Sequence, residues 1–278
     1  MEQLTESYRF DSDLAALLTR FQYYKDDITL TAAEPRPLPS NTYTAQTAGL
    51  EAVLGSSSSL VFVCYDDRSH EMVNPIETTI STAIADAVGP KQPSVAAKPD
   101  GRSIDSEEQA PAWVASGDRP MQATQPSDTD QSAPSFGGVT PHNAQRGALD
   151  KRLGEEMTAN TVEKYQGGER DIIAVSATVS DPEFARREER FILNPNRLLV
   201  AISRSRLLTI VVCSTSLFEV APKDSDDRDG SPVWARLFTQ AVGREATPVW
   251  AGPLAEFVGN PVDEHAELPI RVYPCGDI

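Results

Sequence analysis

Long apolar runs are absent from this chain of 278 residues. No window approaches 18 consecutive apolar residues, which argues against a helix that crosses a membrane. The first ten residues, MEQLTESYRF, lack the basic and then apolar layout of a signal peptide, so we expect a cytoplasmic protein. Three scattered cysteines, Cys64, Cys213 and Cys275, have no metal-ligand spacing, and we interpret them as reduced thiols in a core.

Lysine is scarce and acidic residues are abundant. The chain has 25 Lys+Arg, of which 6 are lysine, against 41 Asp+Glu, and its formal net charge of −16 at first sight disfavours a nucleic-acid partner. The charge is unevenly distributed, however. Residues 137–215 hold 11 basic and 10 acidic side chains, whereas the rest of the chain holds 14 and 31. The segment 137–215 is therefore electrostatically distinct from an acidic remainder.

Helical and strand-like segments alternate along the chain. Helical spacing of apolar residues occurs over 11–21, and Asn74 followed by Pro75 is typical of the start of a helix over 74–88. The strand-like runs are apolar without a period of two, which is typical of strands buried on both faces. The pattern predicts an α/β fold with a mostly parallel sheet and helices on both faces. Buried strands are predicted in SLVFVCY (59–65), IIAVSAT (172–178) and LLTIVVC (207–213).

Two segments stand apart from this alternation. Residues 89–135 are dominated by Pro, Ser, Asp, Gln and Ala, and predict a poorly ordered insertion within a domain over 1–215. Residues 216–278 predict a C-terminal extension packed on that domain, with one helix in SPVWARLFTQAV and short strands in TPVWAG and LPIRVYP. Residues 31–59 are interpreted mostly as connection. The three histidines are too dispersed to predict a metal site.

Two arginines interrupt a pair of apolar runs in NPNRLLVAISRSR (194–206). Asn194 suits an N-cap and Pro195 the first helical turn. The helix leads into a buried strand, so Arg204 lies near a helix end against the sheet, where α/β folds place ligand clefts. An arginine held there suits a bidentate partner such as a phosphate. The alternative is an ion pair with an acid of EFARREER (183–190).

A glycine loop, YQGGERD (165–171), precedes the strand over 172–178. Two adjacent glycines allow a backbone to approach a ligand closely, and four polar side chains surround them. Taken alone, this loop is more typical of a surface turn with solvated charges than of a ligand site.

Together these segments resemble the motifs of superfamily 1 helicases, in the branch that includes the nonsense-mediated-decay and replication-repair helicases. TVEKYQGGERDIIAVSAT resembles motif V, and NRLLVAISRSRLLTIVV resembles motif VI. VTPHNAQRGALDKRL is similar to the Thr-Pro-x-x-x-Gln segment that precedes motif V. ESYRF resembles motif IV, and RSHEMVNPIETTI resembles the stretch in which a strand passes into an Asn-x-x-Glu helix. The ordered matches cover most of residues 6–215 outside the insertion.

The resemblance implies a RecA-like fold and a place as the second of two RecA-like domains that bind ATP and Mg²⁺ between them. It implies that Arg204 is the motif VI arginine finger for the γ-phosphate and that Arg9 acts on the same phosphates. Glu169 is expected to contact the nucleotide ribose. The remaining residues implied in nucleotide binding shape the motif V loop and are Gln166, Gly167 and Gly168.

The resemblance also implies a second partner, single-stranded DNA or RNA. Thr140 and Thr161 look like the residues that hold the nucleic-acid backbone through their hydroxyls, a kind of contact that positions a strand without reading its sequence.

The chain departs from the family at three points. Leu199 stands where the family usually has Asn, and Ser203 where it has Thr. The sequence also contains no G-x-x-x-x-G-K-[ST] loop, and no Asp-Glu pair follows an apolar strand. We therefore expect ATP and Mg²⁺ to be held mainly by a P-loop-containing RecA-like domain in another chain or missing from this one, and this chain alone to hydrolyse ATP negligibly.

Two functions are compatible with these observations. The first is the second motor domain of an ATP-dependent helicase, which contributes an arginine finger and nucleic-acid backbone contacts. The second is a non-catalytic nucleic-acid or protein-interaction module that retains the fold of such a helicase. An unrelated α/β nucleotide-binding protein is a third and weaker alternative.

Overall fold

The computed structural model describes residues 6–33, 38–89, 133–153, 157–164, 169–222, 232–259, 262 and 264–276, without the side chains of 6–11, 26 and 33. Nearly all of the predicted insertion, together with Gln166, Gly167 and Gly168, lies outside these residues. Residues 1–89 and 133–278 belong to one unit, and 90–132 to another that falls outside the described ranges. Within those ranges, no helix has the length and apolar character needed to cross a bilayer.

Seven of nine described strands form one sheet. The strands are β1 (Glu6–Asp11), β2 (Thr31–Ala33), β3 (Leu60–Tyr65), β4 (Phe136–Thr140), β5 (Thr158–Thr161), β6 (Arg170–Ser176), β7 (Ser205–Ser214), β8 (Trp250–Pro253) and β9 (Pro269–Pro274). The sheet has the order β5-β4-β6-β7-β3-β9-β8, and β1 and β2 form a separate parallel pair. Only β9 runs against the other six strands, since it is antiparallel to both β3 and β8. The predicted mostly parallel α/β sheet is confirmed, and the architecture is RecA-like.

Helices cover both faces of this sheet. They are α1 (Ser12–Phe21), α2 (Ala48–Leu54), α3 (Pro75–Val88), α4 (Asn143–Asp150), α5 (Pro182–Arg187), α6 (Glu189–Ile192), α7 (Pro195–Ile202), α8 (Val233–Val242) and α9 (Leu254–Val258). Phe62 of β3 belongs to a core shared with α1, α7 and α8, whereas its neighbour Val63 belongs to a core shared with α2, α3 and α9. Because successive side chains of a strand point to opposite faces, a strand covered on both sides is apolar throughout.

A cap residue followed by proline starts three of these helices. The Oδ1 atom of Asn74 accepts hydrogen bonds from the backbone N–H groups of Ile76 and Glu77 at the start of α3. Asn194 caps α7 in the same way, and Asp181 caps α5. In each case the next residue is a proline, whose missing N–H is not needed in the first turn. The helix starts that the sequence predicted at Asn74 and Asn194 are thus confirmed.

The C-terminal part of the chain contributes to the same sheet. β9 lies between β3 and β8, and α9 packs against α2. Residues 31–59, which were predicted mostly as connection, contain β2 and α2. α2 packs closely on α9, since a Cβ atom on Gly49 would lie 2.7 Å from the ring of Phe257. The helix also has a local start signal that the sequence analysis did not use, because the Thr47 side chain accepts a hydrogen bond from the backbone N–H of Leu50.

Candidate functional site

Two of the residues predicted to bind nucleotide, Glu169 and Arg204, lie at the amino ends of β6 and β7. Glu169 directly precedes β6, and Arg204 directly precedes β7. The two strands are parallel neighbours, with Arg170 opposite Ser205, so both residues lie at the same edge. Arg204 lies just after the end of α7 at Ile202, because α7 returns the chain to the start of β7 at the amino edge of the sheet.

Arg204 is held by the end of α7. It is half-buried, and its Nε atom donates a hydrogen bond of 3.0 Å to the carbonyl oxygen of Val200. Leu199, which stands where the family usually has Asn, is 4% exposed and belongs to the core beneath the helix. The apolar side chain is therefore accommodated by packing, and α7 anchors Arg204 without the hydrogen bond that an Asn side chain would provide.

A chain of polar contacts orients Glu169 beside this arginine. The Nε atom of Arg206 donates to Oε2 of Glu169 at 3.1 Å, and Arg206 also lies 3.9 Å from Oδ1 of Asp171. The other oxygen of Asp171 accepts from the backbone N–H and the hydroxyl of Ser135, at 2.9 and 2.7 Å. Ser135 therefore fixes Asp171, and Asp171 and Glu169 together fix the guanidinium of Arg206.

These residues suit part of a nucleotide. Guanidinium groups match phosphate oxygens, and a carboxylate such as Glu169 accepts a hydrogen bond from a ribose hydroxyl. Within the described residues, no group of three or more His, Cys, Asp or Glu side chains could hold a metal ion. The side chain of Arg9 is not described, but its strand, β1, lies against β7.

Thr140 and Thr161, the predicted nucleic-acid residues, lie at the opposite edge. They are paired across β4 and β5 and mark the carboxyl ends of both strands. Thr140 is 0% exposed and Thr161 is 4% exposed. The hydroxyl of Thr140 lies 2.8 Å from that of Thr178, which follows β6. A phosphate would reach the Thr140 hydroxyl only if the atoms above it move, whereas Asn143 at the start of α4 is exposed.

A buried polar network, with no assigned role in the sequence analysis, adjoins Thr140. Its centre is Glu77 of α3, which is fully buried. The Glu77 carboxylate accepts hydrogen bonds from the Tyr65 hydroxyl at 2.7 Å, the Ser176 hydroxyl at 2.5 Å and the Thr178 backbone N–H at 2.7 Å. Desolvation by burial raises the pKa of Glu77 to about 7, against the opposing effect of these hydrogen bonds.

Asn74 and Gln145 complete this network. The Nδ2 atom of Asn74 donates to the Tyr65 hydroxyl at 2.7 Å and to the Thr178 carbonyl oxygen at 2.9 Å. The Gln145 side chain accepts from the backbone N–H of Asn74 at 2.9 Å and donates to Ser176 at 3.1 Å. The Asn-x-x-Glu and Thr-Pro-x-x-x-Gln segments thus meet inside the protein. Their resemblance to family motifs was the only sequence signal for Glu77 and Gln145, whereas Asn74 was also predicted as the cap of α3.

A second polar cluster lies at the end of β3. Oδ2 of Asp67 contacts Nδ1 of His70 at 2.8 Å and accepts a short hydrogen bond from Ser180. Burial raises the pKa of Asp67, but the hydrogen bonds from Ser180, His70 and Ser69 outweigh burial and lower the pKa to about 2. The rings of His70 and His265 are 6.0 Å apart, a proximity that their separation in the sequence did not indicate.

One comparison with known proteins, that with family models, supports a helicase-like domain. A family model described as an AAA domain, of the type found in superfamily 1 helicases, matches residues 1–216. The comparison with curated proteins gives no match. One similar solved structure is a phosphoethanolamine N-methyltransferase 2 of Haemonchus contortus, in complex with phosphomonomethylethanolamine and S-adenosylhomocysteine. It is 15% identical, with a TM-score of 0.27. The match covers 51% of this chain and 33% of the methyltransferase, and a likeness this weak carries no argument.

The family model covers most of the chain. The chain belongs to the AAA-domain family of superfamily 1 helicases and contains a helicase-like domain.

Proposed function

We propose that this chain provides the second motor domain of an ATP-dependent superfamily 1 helicase. The observation that carries the proposal is the placement of Arg204 and Glu169 at one edge of the sheet, joined through the backbone of β6 and β7. A guanidinium and a carboxylate in this arrangement suit the phosphate and ribose ends of one nucleotide. The matched family is consistent with this use of the edge.

In this proposal Arg204 is a catalytic residue that acts on a nucleotide held by another domain. Its guanidinium approaches the γ-phosphate and stabilises the negative charge that spreads over the phosphoryl oxygens in the transition state. Arg9 acts on the same phosphates, and Glu169 accepts a hydrogen bond from the ribose. Gln166, Gly167 and Gly168 shape the loop before β6.

ATP and Mg²⁺ are bound mainly by a P-loop-containing RecA-like domain. When bound there, Mg²⁺ neutralises charge on the β- and γ-phosphates. The sequence of this chain contains no P-loop motif, and its described residues include no candidate metal site, so that domain is supplied by another chain or by a longer protein. We infer that both partners act in the cytoplasm.

Single-stranded DNA or RNA is proposed to bind at the carboxyl edge, at the turns that begin with Thr140 and Thr161. β4, β5, β6 and β7 are neighbours in one hydrogen-bonded sheet, so the nucleotide edge and the nucleic-acid edge belong to the same rigid body. Closure of the P-loop domain on Arg204 therefore moves both edges together. Such a movement converts ATP hydrolysis into translocation along a strand or unwinding of a duplex.

A second candidate is a non-catalytic nucleic-acid or protein-interaction module with the same ancestry. The lack of a P-loop motif in the sequence favours this alternative. The two candidates differ in ATP hydrolysis, because a non-catalytic module needs no arginine finger.

ATP hydrolysis by the purified chain, with and without a P-loop domain of a superfamily 1 helicase, separates the two candidates. The assay includes single-stranded DNA or RNA as the activator. The motor proposal predicts stimulated hydrolysis only in the mixture, and at a rate above that of the P-loop domain alone. A mixture that is no faster than the P-loop domain alone supports the interaction module. A neighbouring reading frame that encodes a P-loop domain is the natural partner to test first.

A further inference from the structure

Thr178 has a backbone conformation that its side chain disfavours. Its φ angle is 68°, in the left-handed region that β-branched residues rarely adopt. The residue follows β6 at the carboxyl edge and is completely buried. A strained conformation of this kind persists only where the surrounding structure fixes it, and such positions cluster at functional sites.

Two side chains of α3 and its cap fix Thr178 from both sides of its backbone. Its N–H donates to Oε2 of Glu77 at 2.7 Å. Its carbonyl oxygen accepts from Nδ2 of Asn74 at 2.9 Å. Asn74 itself is held by Gln145, which bonds both the N–H and the carbonyl oxygen of Asn74. The left-handed turn is therefore determined by buried groups that come from a different part of the chain.

The same turn organises the carboxyl edge around Thr140. The Thr178 hydroxyl lies 2.8 Å from the Thr140 hydroxyl. Two and three residues further on, the backbone N–H groups of Ser180 and Asp181 donate to the carbonyl oxygen of His70, at 2.8 and 3.0 Å. A change in the Thr178 backbone would thus displace the side-chain partner of Thr140 and the loop after β3 together.

We propose that Glu77 and Asn74 are positioning residues for nucleic-acid binding, which hold the Thr178 turn in its left-handed conformation and thereby set the position of Thr140. This inference rests on the proposed function, because it takes the carboxyl edge at Thr140 as the surface that contacts the nucleic-acid backbone. Glu77 and Asn74 touch no nucleic acid in this account. They act through Thr178.

The direction of the hydrogen bonds to Glu77 predicts how pH affects the Thr178 turn. All three partners of Glu77, namely the Tyr65 hydroxyl, the Ser176 hydroxyl and the Thr178 N–H, donate to it, which is the arrangement that an ionised carboxylate requires. A protonated carboxyl can donate its proton from Oε1 to the Tyr65 hydroxyl, and Oε2 then accepts from the Thr178 N–H as an uncharged carbonyl oxygen. Hydrogen bonds to an uncharged acceptor are weaker than those to a carboxylate, so protonation of Glu77 weakens the hold on Thr178.

Glu77 titrates in a range where the other ionisable groups facing it do not. These groups are Tyr65 and Cys213, whose pKa values are raised well above their ordinary values by burial and neighbouring groups, and Asp67, whose pKa is about 2. His70 contacts Asp67 through Nδ1, and this contact is present in both the wild type and a Glu77 variant. The wild type is expected to lose nucleic-acid affinity as the pH falls through about 7, the pKa of Glu77.

General electrostatics predicts the opposite trend. An acidic protein becomes less negative as the pH falls, so its affinity for a polyanion should rise. The sign of the pH dependence therefore separates the positioning role from a purely electrostatic effect. A purely structural role of Glu77 would change stability without reversing this sign.

The test measures binding of fluorescein-labelled 20-mers of dT and of rU to the full chain by fluorescence anisotropy, at pH 6 and pH 8 and constant salt. The wild type should bind about tenfold more tightly at pH 8. Glu77→Gln should bind weakly at both pH values, because its neutral amide resembles the protonated acid. The matched control is Glu51→Gln, which alters an exposed Glu–Tyr pair with Tyr43 at 3.1 Å and should behave as the wild type.

A second variant covers the case in which Glu77→Gln does not fold. Thr178→Val keeps the shape of the side chain and the backbone bonds to Glu77 and Asn74, and removes the hydroxyl, which lies 2.8 Å from the Thr140 hydroxyl and 3.3 Å from that of Ser176. It should weaken binding at pH 8 while its thermal unfolding stays cooperative.

Three results would overturn the inference. The first is equal binding by the wild type and both variants, and the second is affinity that rises toward pH 6 in the wild type. Either result leaves nucleic-acid binding itself in place. The third is a wild type that binds neither oligonucleotide, which removes the nucleic-acid part of the proposed function as well and leaves the Arg204 hydrolysis test unaffected.

Discussion

The backbone N–H of Arg170 donates a hydrogen bond of 3.3 Å to the carbonyl oxygen of Arg204. This bond joins the residue after Glu169 to the proposed arginine finger, at the edge where β6 and β7 begin. The distance between Glu169 and Arg204 is therefore set by the sheet backbone, which is more rigid than a surface loop. A nucleotide that contacts both residues meets a site whose two halves are already aligned.

Replacement of Arg206 by Ala should raise the KM for ATP in the reconstituted mixture several-fold and leave kcat unchanged. The reason is that Arg206 orients the Glu169 carboxylate through a hydrogen bond of 3.1 Å, and a ribose contact is made equally in the ground and transition states. Steady-state kinetics of ATP hydrolysis in the mixture of this chain and a P-loop domain measure both constants.

The matched control for Arg206 is Arg68→Ala. Arg68 is 53% exposed and ion-paired with Glu219, much as Arg206 is 54% exposed and ion-paired with Glu169, but Arg68 lies in the loop after β3. Exposed ion pairs contribute about 1 kcal/mol or less, so neither variant should unfold. A fall in kcat for Arg206→Ala would show that Arg206 acts on the transferred phosphoryl group and not through Glu169.

Replacement of Asn194 by Ala should lower the free energy of unfolding by about 1 kcal/mol. The Asn194 side chain accepts hydrogen bonds from the N–H groups of Asn196 and Arg197, which have no partner within α7. Urea denaturation followed by circular dichroism measures the change. Asn196→Ala is the control, since the Asn196 side chain is exposed and caps nothing; equal losses in the two variants would contradict the capping role.

The Glu77 carboxyl should make the protein less stable as the pH rises from about 4.5 to about 7. Its pKa is raised by burial from 4.5 to about 7, so between these values the folded protein keeps a proton that the unfolded chain has released. The stability that this proton provides is fully present below the unfolded pKa and is lost as the pH rises through the folded one. The slope approaches about 1.4 kcal/mol per pH unit and levels off above about pH 7.

Urea denaturation at pH 5, 6, 7 and 8 measures the slope, and the difference between the wild type and Glu77→Gln isolates the part due to Glu77. Burial lowers the pKa of His142, so His142 contributes a slope of the opposite sign to both proteins equally. Asp67 does not interfere, because its pKa is lowered to about 2 and its contribution changes only at more acidic pH. Glu51→Gln should retain the wild-type slope. If the free energy of unfolding of the wild type and of Glu77→Gln changes in parallel with pH, then Glu77 is ionised throughout the range.

Local patterns were sufficient to predict most elements of the sheet. β3 and β7 are apolar and rich in β-branched residues, and α3 and α7 begin with an Asn-Pro pair. Such signals act within a few residues, so they can be recognised without knowledge of the fold. The α/β class and the mostly parallel sheet follow from the order of these elements.

The candidate site was only partly predictable. The motif resemblance indicated Arg204 and Glu169, but not that the two residues lie at the amino edge. The network around Glu77 joins residues about 100 positions apart in the chain, such as Glu77 and Thr178. No periodicity or spacing encodes such a contact, because it depends on how α3 packs against the end of β6. For the same reason the burial of Thr140 could not be predicted from the sequence.

The measurement that tests the central proposal most directly is kcat for ATP hydrolysis by this chain mixed with a P-loop domain and single-stranded nucleic acid, for the wild type and for Arg204→Ala. The proposal predicts that Arg204→Ala lowers kcat by about a thousandfold or more, while the KM for ATP changes much less. An unchanged kcat in a folded Arg204→Ala variant would contradict the assignment of Arg204 as the arginine finger.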